Sequence, residues 1–366
     1  MDVNRIWIIS DTHFGVRSNS LEWLEIQKDY YNKWLIPLLK EKVQPGDIMF
    51  HLGDLFDNRQ SINILVLNTV IEIFEKISQI LPLHILLGNH DTYRKTSNDI
   101  NSIKIFEYMN NITVYQEPTE IILSKDNLNK KILLMPWRQG PEEEITTIKE
   151  HPNCDYLFCH TDIHGLRYNR IRMVESGNDI SVYEYFKRVL SGHIHYRQTY
   201  HNITMVGCPY PLTRSDINNE KGIYLFDPFK NKLQFFENKF SPKFIRINIE
   251  DLMELSLDKF LKLIKNNFVD IIVNIRWSID FPFTALMDII SGFRKISIIS
   301  VIDDDEDKII YDDNSTSDLS NFNIMKLAEK YIETLNYSAK VKDATLKKIN
   351  ELYSRIISGG SIEYNN

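Results

Sequence analysis

Arg5-Ile6-Trp7-Ile8-Ile9-Ser10-Asp11-Thr12-His13 decides the fold: an apolar run that reads as a strand ends in an aspartate and a histidine, both able to hold a metal. The same order recurs four more times. Residues 47–52 precede Gly53-Asp54-Leu55-Phe56-Asp57, and residues 83–87 precede Gly88-Asn89-His90-Asp91. Residues 156–159 precede His160, and residues 189–191 precede Gly192-His193-Ile194-His195. Open α/β sheets place their sites outside the carboxyl ends of strands, so strand ends that all carry ligands imply one convergent site. Taken singly, each motif could be turn chemistry, because Gly, Asn and Asp favour turns. Their ordered recurrence is what argues against that.

The donors are Asp, Asn and His, oxygen and imidazole ligands that suit Mn²⁺, Fe²⁺ or Zn²⁺ more than a thiolate-selective metal. The candidate ligands Asp11, His13, Asp54, Asn89, His160, His193 and His195 are too many for one ion. They match two divalent ions sharing a bridging carboxylate, the arrangement used for in-line attack on phosphorus. A two-metal phosphoesterase is therefore expected. Of the ten histidines, His51, His84, His151, His164 and His201 are not needed. His51 and His84 lie inside apolar runs and read as hydrogen-bonded core residues.

The five motifs, in this order, resemble the calcineurin-like metallophosphoesterase superfamily. The resemblance implies an α/β (α+β four-layer) sandwich of two central β-sheets flanked by helices. It implies that Asp11, His13 and His195 bind a first metal, that Asn89, His160 and His193 bind a second, and that Asp54 bridges them. A water or hydroxide held between the ions is then the nucleophile, since coordination lowers the pKa of bound water. His90, unneeded as a ligand, is placed to protonate the leaving oxygen or to stabilise charge on the phosphate. Asp91 is expected to orient His90 through a ring nitrogen. Asp57 either supports the ligands from behind or serves as an N-terminal carboxylate for a helix starting near Ser61.

Residues 1–240 alternate strands and helices, with helices expected at 21–42 and 62–78 and further strands at 132–135, 204–206 and 223–226. This pattern suits sheets packed between helices. In the second helix Ile62, Leu65, Val66, Thr69, Ile73 and Ile77 make one apolar stripe, and Ile64, Leu67 and Ile71 make another. A surface helix needs only one. The second stripe reads either as deep burial or as the interface of a homodimer. Residues 241–303 read as strand, helix, strand, helix, strand: a small α+β capping module without a metal motif. Residues 304–322 are acidic and polar, the composition of a flexible linker. Residues 323–358 read as a helix pair, with stripes led by Leu327, Tyr331 and Leu335 and by Ile349, Leu352 and Ile356.

That layout, with Asp11-Thr12-His13-Phe14-Gly15, Gly53 to Arg59, Pro136-Trp137 and Gly207 to Thr213, resembles the SbcD-type nuclease subunits. These are relatives of the eukaryotic double-strand-break repair nuclease. The T-even-like phage recombination endonuclease subunits share its short linker and C-terminal helices. The eukaryotic and archaeal branch usually has His where this chain has Asp57, which places the chain with the bacterial and phage branch. The resemblance implies a Mn²⁺-dependent DNA exonuclease and endonuclease in recombination, repair or replication. Its partners would be DNA and an SbcC-type SMC-like ATPase, which the C-terminal helix pair would bind. The competing readings are a stand-alone metallophosphatase or cyclic-nucleotide phosphodiesterase, and a non-catalytic DNA-binding scaffold.

The chain of 366 residues carries a net charge of −7, without the broad basic face of many nucleic-acid binders. Its best local basic cluster is Arg167, Arg170 and Arg172, directly after the fourth motif, and these are the candidate DNA contacts. Cys154, Cys159 and Cys208 are odd in number and lack metal spacing, which fits a reducing cytoplasm; the resemblance implies that of a bacterium or a phage-infected host. No run is apolar and long enough to span a bilayer, and the N-terminus runs straight into a strand, so neither a membrane span nor a signal peptide is expected.

Overall fold

The computed structural model describes residues 1–94, 96–274, 296–301 and 341–347. The chain divides into two compact units, Met1–Tyr311 and Asp312–Asn366. In the second unit residues 341–347 are helical. The acidic linker 304–322 and the stripe residues Leu327, Tyr331, Leu335, Ile349, Leu352 and Ile356 lie outside the described residues, as does the second helix expected in the capping module.

The first unit is built on two six-stranded sheets. One runs, in spatial order, Lys232–Glu237, Gly222–Asp227, Ile6–Ile9, Ile48–His51, Leu83–Leu86, Ile112–Tyr115. The other runs Gln198–Tyr200, Ile203–Met205, Arg188–Gly192, Tyr156–His160, Leu128–Met135, Thr119–Lys125. Neighbours at the centre of each sheet are parallel; antiparallel strands close both edges of the second sheet and one edge of the first, whose other edge, Ile112–Tyr115, runs parallel to its neighbour.

Alternation along the strands shows how the layers stack. Ile6, Ile8, Ile48 and Phe50 from one sheet pack with Ile132, Leu134, Tyr156 and Phe158 from the other in a core between the sheets. The intervening Trp7, Ile9 and Met49 turn the opposite way, onto Leu24, Leu35, Val70 and Phe74 of the helices. Leu133, Leu157 and Val189 likewise turn outward onto Ile148, Ile163 and Tyr183. Strands apolar on both faces read as continuous runs rather than alternating ones, as buried parallel strands do.

The helix expected at 21–42 is an α-helix at Leu21–Asp29, a π-helical stretch at Tyr30–Leu35 and an α-helix at Ile36–Lys42. Pro37 gives the physical reason: it lacks an N–H, and its ring clashes with the carbonyl four residues back, so the preceding turn widens. The next helix, Ile64–Ser78, starts where the Asn63 side chain accepts a hydrogen bond from the Leu65 N–H at 2.9 Å. The helix Pro141–Glu150, not expected from the sequence, has proline in its first turn and Glu142, Glu143 and Glu144 beside it, a favourable N-terminal charge pattern.

Beyond residue 241, the strands Phe244–Asn248, Phe268–Asn274 and Ile296–Val301 form a parallel three-stranded sheet. The helices Ile249–Met253 and Leu257–Asn266 lie in the first crossover. Trp23 of the main body stacks on Phe268 at 5.2 Å between ring centres. Arg214 Nε donates to both Asp270 oxygens, at 3.0 and 2.9 Å. Among the described residues, no helix is long and apolar enough to cross a membrane.

Candidate metal centre

Asp11, Asp54 and Asn89 follow three neighbouring parallel strands of one sheet, while His160 and His193 close two paired strands of the other. The His193 N–H donates to Asp11 Oδ1 at 2.8 Å, tying the two sheets together at this point. The loops meet closely enough to need glycine. Gly53 has φ +94°, and a Cβ there would lie 2.8 Å from the Gly88 Cα. Several of the candidate ligands are themselves left-handed: Asp11 (φ 52°), His13 (43°), Asp54 (55°) and His193 (83°). Such conformations cost about 1–3 kcal/mol each and persist where the surroundings enforce them, commonly at functional sites.

Two groups of donors result. The ligand atoms of Asp11, His13 and His195 lie within 4.8 Å of one another, and so do those of Asp54, His160 and His193. Asp54 faces both: Oδ2 is 3.6 Å from His13 Nε2 and Oδ1 is 3.2 Å from His160 Nε2. Asn89 Oδ1 lies 3.0 Å from His160 Nε2 and 2.7 Å from His193 Nδ1. A third group joins His13, Asp57 and His90, with Asp57 Oδ1 3.3 Å from His13 Nδ1.

Outer contacts turn bare nitrogens inward. His160 Nδ1 donates to the Leu52 carbonyl at 2.7 Å, and a carbonyl can only accept, so the neutral ring keeps its lone pair on Nε2. His193 Nε2 faces Asp162 Oδ1 at 3.0 Å, leaving Nδ1 toward Asn89. Gln27 Nε2 donates to the carbonyls of Thr12 and His13, at 2.9 and 3.2 Å, and the Tyr210 hydroxyl donates to Thr12 O at 2.6 Å. Buried Lys221, paired with Asp216, donates to the His195 carbonyl at 2.7 Å.

These residues fit divalent ions. Asp11 Oδ2 is buried without a hydrogen-bond partner. The Nε2 atoms of His13 and His195 face each other at 2.9 Å. As oriented, Asn89 Oδ1 points at acceptors; turned round, the amide would donate to them and accept from Arg59 Nη2 at 2.9 Å. Lone pairs converging on one point repel unless a cation lies among them. The local field agrees. Burial opposes charge on His13, yet the adjoining Asp57, Asp54 and Asp11 carboxylates push it up to about 9. Burial also opposes charge on His160, which Asp54, Asp11 and the Leu52 carbonyl push up to about 9. Against its own burial, Asp54 is held well below the usual carboxylate range by His160, His90 and His13.

His90 stands beside the first group, its ring 4.8 Å from that of His13. Asp91 does not orient it. The Asp91 oxygens accept from the N–H groups of Leu55, Phe56 and Gly88, at 3.0, 3.1 and 3.0 Å, which consumes them in shaping the two loops. The Asp57 backbone carbonyl holds the His90 ring instead, at 2.7 Å from Nδ1. Burial lowers the His90 pKa, with Asp54 and the Asp57 carbonyl acting the other way.

Arg167, Arg170 and Arg172 are exposed on the 163–178 hairpin, outside the metal groups. Sequence reasoning assigned no role to Gln27, Arg59, Trp137, Asp162, Asp216 or Lys221. Trp137 sits with its ring 5.1 Å from that of His193. Asp162 carried a signal, lying two residues past His160; buried Lys221 and Asp216 carried none.

Two sheets packed face to face, with Asp, Asn and His at the carboxyl ends of their central strands, define a metallophosphoesterase fold. The chain belongs to the calcineurin-like phosphoesterase family, whose model matches residues 4–197. It is similar, at 26% identity over 365 residues, to exonuclease subunit 1 of Enterobacteria phage T4, covering 95% of this chain and 98% of that one. Putative phosphoesterase 244L of Invertebrate iridescent virus 6 is 27% identical over 207 residues, 54% of this chain and 67% of its own. Among solved structures, an archaeal phosphodiesterase shows a TM-score of 0.32 at 13% identity, covering 64% of this chain and 99% of that one.

Proposed function

We propose that the protein is the nuclease subunit of an SbcC–SbcD-like complex, hydrolysing DNA phosphodiesters with two divalent ions, Mn²⁺ in the first instance. The observation that carries this reading is the likeness to a phage exonuclease subunit across 95% of the chain, with both donor groups inside it. Asp11, His13 and His195 would hold one ion, Asn89, His160 and His193 the other, and Asp54 would face both. Bound there, the ions would supply Lewis acidity at the phosphoryl oxygen and make water acidic near neutral pH. Asp54 keeps its charge in this field. His90, anchored through Nδ1, keeps Nε2 free to carry a proton to the leaving oxygen. Exposed Arg167, Arg170 and Arg172 would contact the DNA backbone.

Further partners belong to the same reading: an SbcC-type SMC-like ATPase docking on residues 323–358, and a second copy of this chain packing on the helix Ile64–Ser78. The test is to offer the Mn²⁺-loaded protein duplex DNA, a phosphomonoester and a cyclic nucleotide. Cleavage of duplex DNA is expected. Turnover of the small substrates with DNA left intact would make it a stand-alone phosphatase or phosphodiesterase.

A further inference from the structure

Asp162 is the one acidic residue in the hairpin's approach to the centre that touches a candidate ligand ring, its Oδ1 lying 3.0 Å from His193 Nε2. The remaining hydrogen bonds of its carboxylate come from the hairpin. The Tyr168 hydroxyl donates to Oδ1 at 2.7 Å, and the Ser176 hydroxyl donates to Oδ2 at 2.7 Å. Tyr168 and Ser176 lie on opposite arms of the 163–178 hairpin, so the carboxylate sits between the arms and draws both toward His193. The returning arm presses on the same residue. Gly177 has φ +83°, and a Cβ there would lie 2.6 Å from the Asp162 carbonyl carbon. The guanidinium of Arg172 lies 5.4 Å from the centre of the Tyr168 ring. A continuous set of contacts therefore runs from Arg172 through Tyr168 and Asp162 to His193, whose Nδ1 faces Asn89 Oδ1 at 2.7 Å.

We propose that Asp162 is a positioning residue for the second metal site. It holds the His193 ring in the tautomer and angle that present Nδ1, and it fastens that ring to the arginine-bearing hairpin. An ionised carboxylate can only accept, so it keeps the proton on Nε2 and the lone pair on Nδ1. An amide in its place offers N–H groups as well, and these favour the wrong tautomer. The hairpin hydroxyls, in turn, set the carboxylate. Loss of the Tyr168 hydroxyl thus acts on the second metal although Tyr168 touches no ligand. This proposal rests on the assignment of His193 as a ligand.

The test is titration of the metal-free full-length protein with Mn²⁺ alone, followed by the electron paramagnetic resonance of the free ion. Thermal unfolding of each metal-free variant is recorded beside it. The unaltered protein is expected to bind two ions. Asp162→Asn and Asp162→Ala should leave one ion near its original affinity and weaken the other by about 10–100-fold, the usual cost of losing such a partner. Tyr168→Phe should weaken that same ion by about tenfold or less. Metal-free Tm should change little in Asp162→Asn. His193→Ala is the control and should bind one ion. If it binds two as the unaltered protein does, the ligand assignment fails and takes this proposal with it. If it loses one ion while both Asp162 variants keep two at unaltered affinity, the proposal alone is overturned. Equal weakening of both ions with a lowered metal-free Tm would also overturn it, since Asp162 would then act through the fold.

Discussion

Asp91 and His90 show how neighbours in sequence divide between structure and chemistry. Asp91 is fully buried, and burial, then repulsion from Asp54, raises its carboxyl to about 6 despite three backbone N–H donors. It builds the loops. His90, one residue earlier, keeps Nε2 outside that network. His90→Ala is therefore expected to retain two Mn²⁺ and lose turnover by about 10²–10⁴-fold, the usual worth of general acid assistance. Asp54→Ala removes the carboxylate that faces both groups and is expected to lose the metals themselves. Metal content and kcat on the same samples check both outcomes, and a His90→Ala protein without metal would end the assignment.

At the scale of elements, the helix Ile64–Ser78 carries more apolar surface than its own core contact uses. Val66, Val70, Ile73, Phe74 and Ile77 are buried, while Ile64 remains 75% exposed and Leu65 51%. Leu67 and Ile71 are half-buried. Leu65 falls on the first stripe in sequence yet stays exposed, while Val66 beside it is buried in the core. The second stripe is thus only partly covered within the chain, which motivates the homodimer. Homodimers usually close with two-fold symmetry, so one patch serves both copies. Replacing Leu67 and Ile71 with Glu is expected to give soluble monomers that still bind two Mn²⁺. Light scattering showing the unaltered protein to be a monomer at micromolar concentration would refute the interface.

For the whole molecule, the division after Tyr311 separates all candidate ligands from the C-terminal segment. A chain ending at Tyr311 is expected to fold, to hydrolyse a small phosphodiester in Mn²⁺ at near-normal rate, and to lose co-purification with the ATPase. Retained binding to the ATPase would place the docking surface in the first unit. The metals are expected to stabilise that unit, because an ion present at 100 times its Kd adds about 2.7 kcal/mol to the folded state. Thermal unfolding with and without a chelator measures this in the same experiment.

The sequence by itself determined the recurring order of strand and polar end, and with it the sandwich and the candidate donors. A strand apolar on both faces that ends in Asp-x-His or Gly-Asn-His-Asp declares its burial and its polar end locally. Tertiary structure alone decided which groups hold those donors in place. Asp91 turned from His90 to backbone N–H groups because the 53–57 and 88–91 loops cross there, a contact across 36 residues. Gln27 reaches Thr12 from a helix, and Lys221 reaches His195 across 26 residues, because packing brings these elements together. The π-helical turn follows from how the chain relieves Pro37, which the helical periodicity of the stretch does not reveal. The candidate donors are written in local chemistry, whereas their orientation depends on partners distant in sequence that only folding makes neighbours.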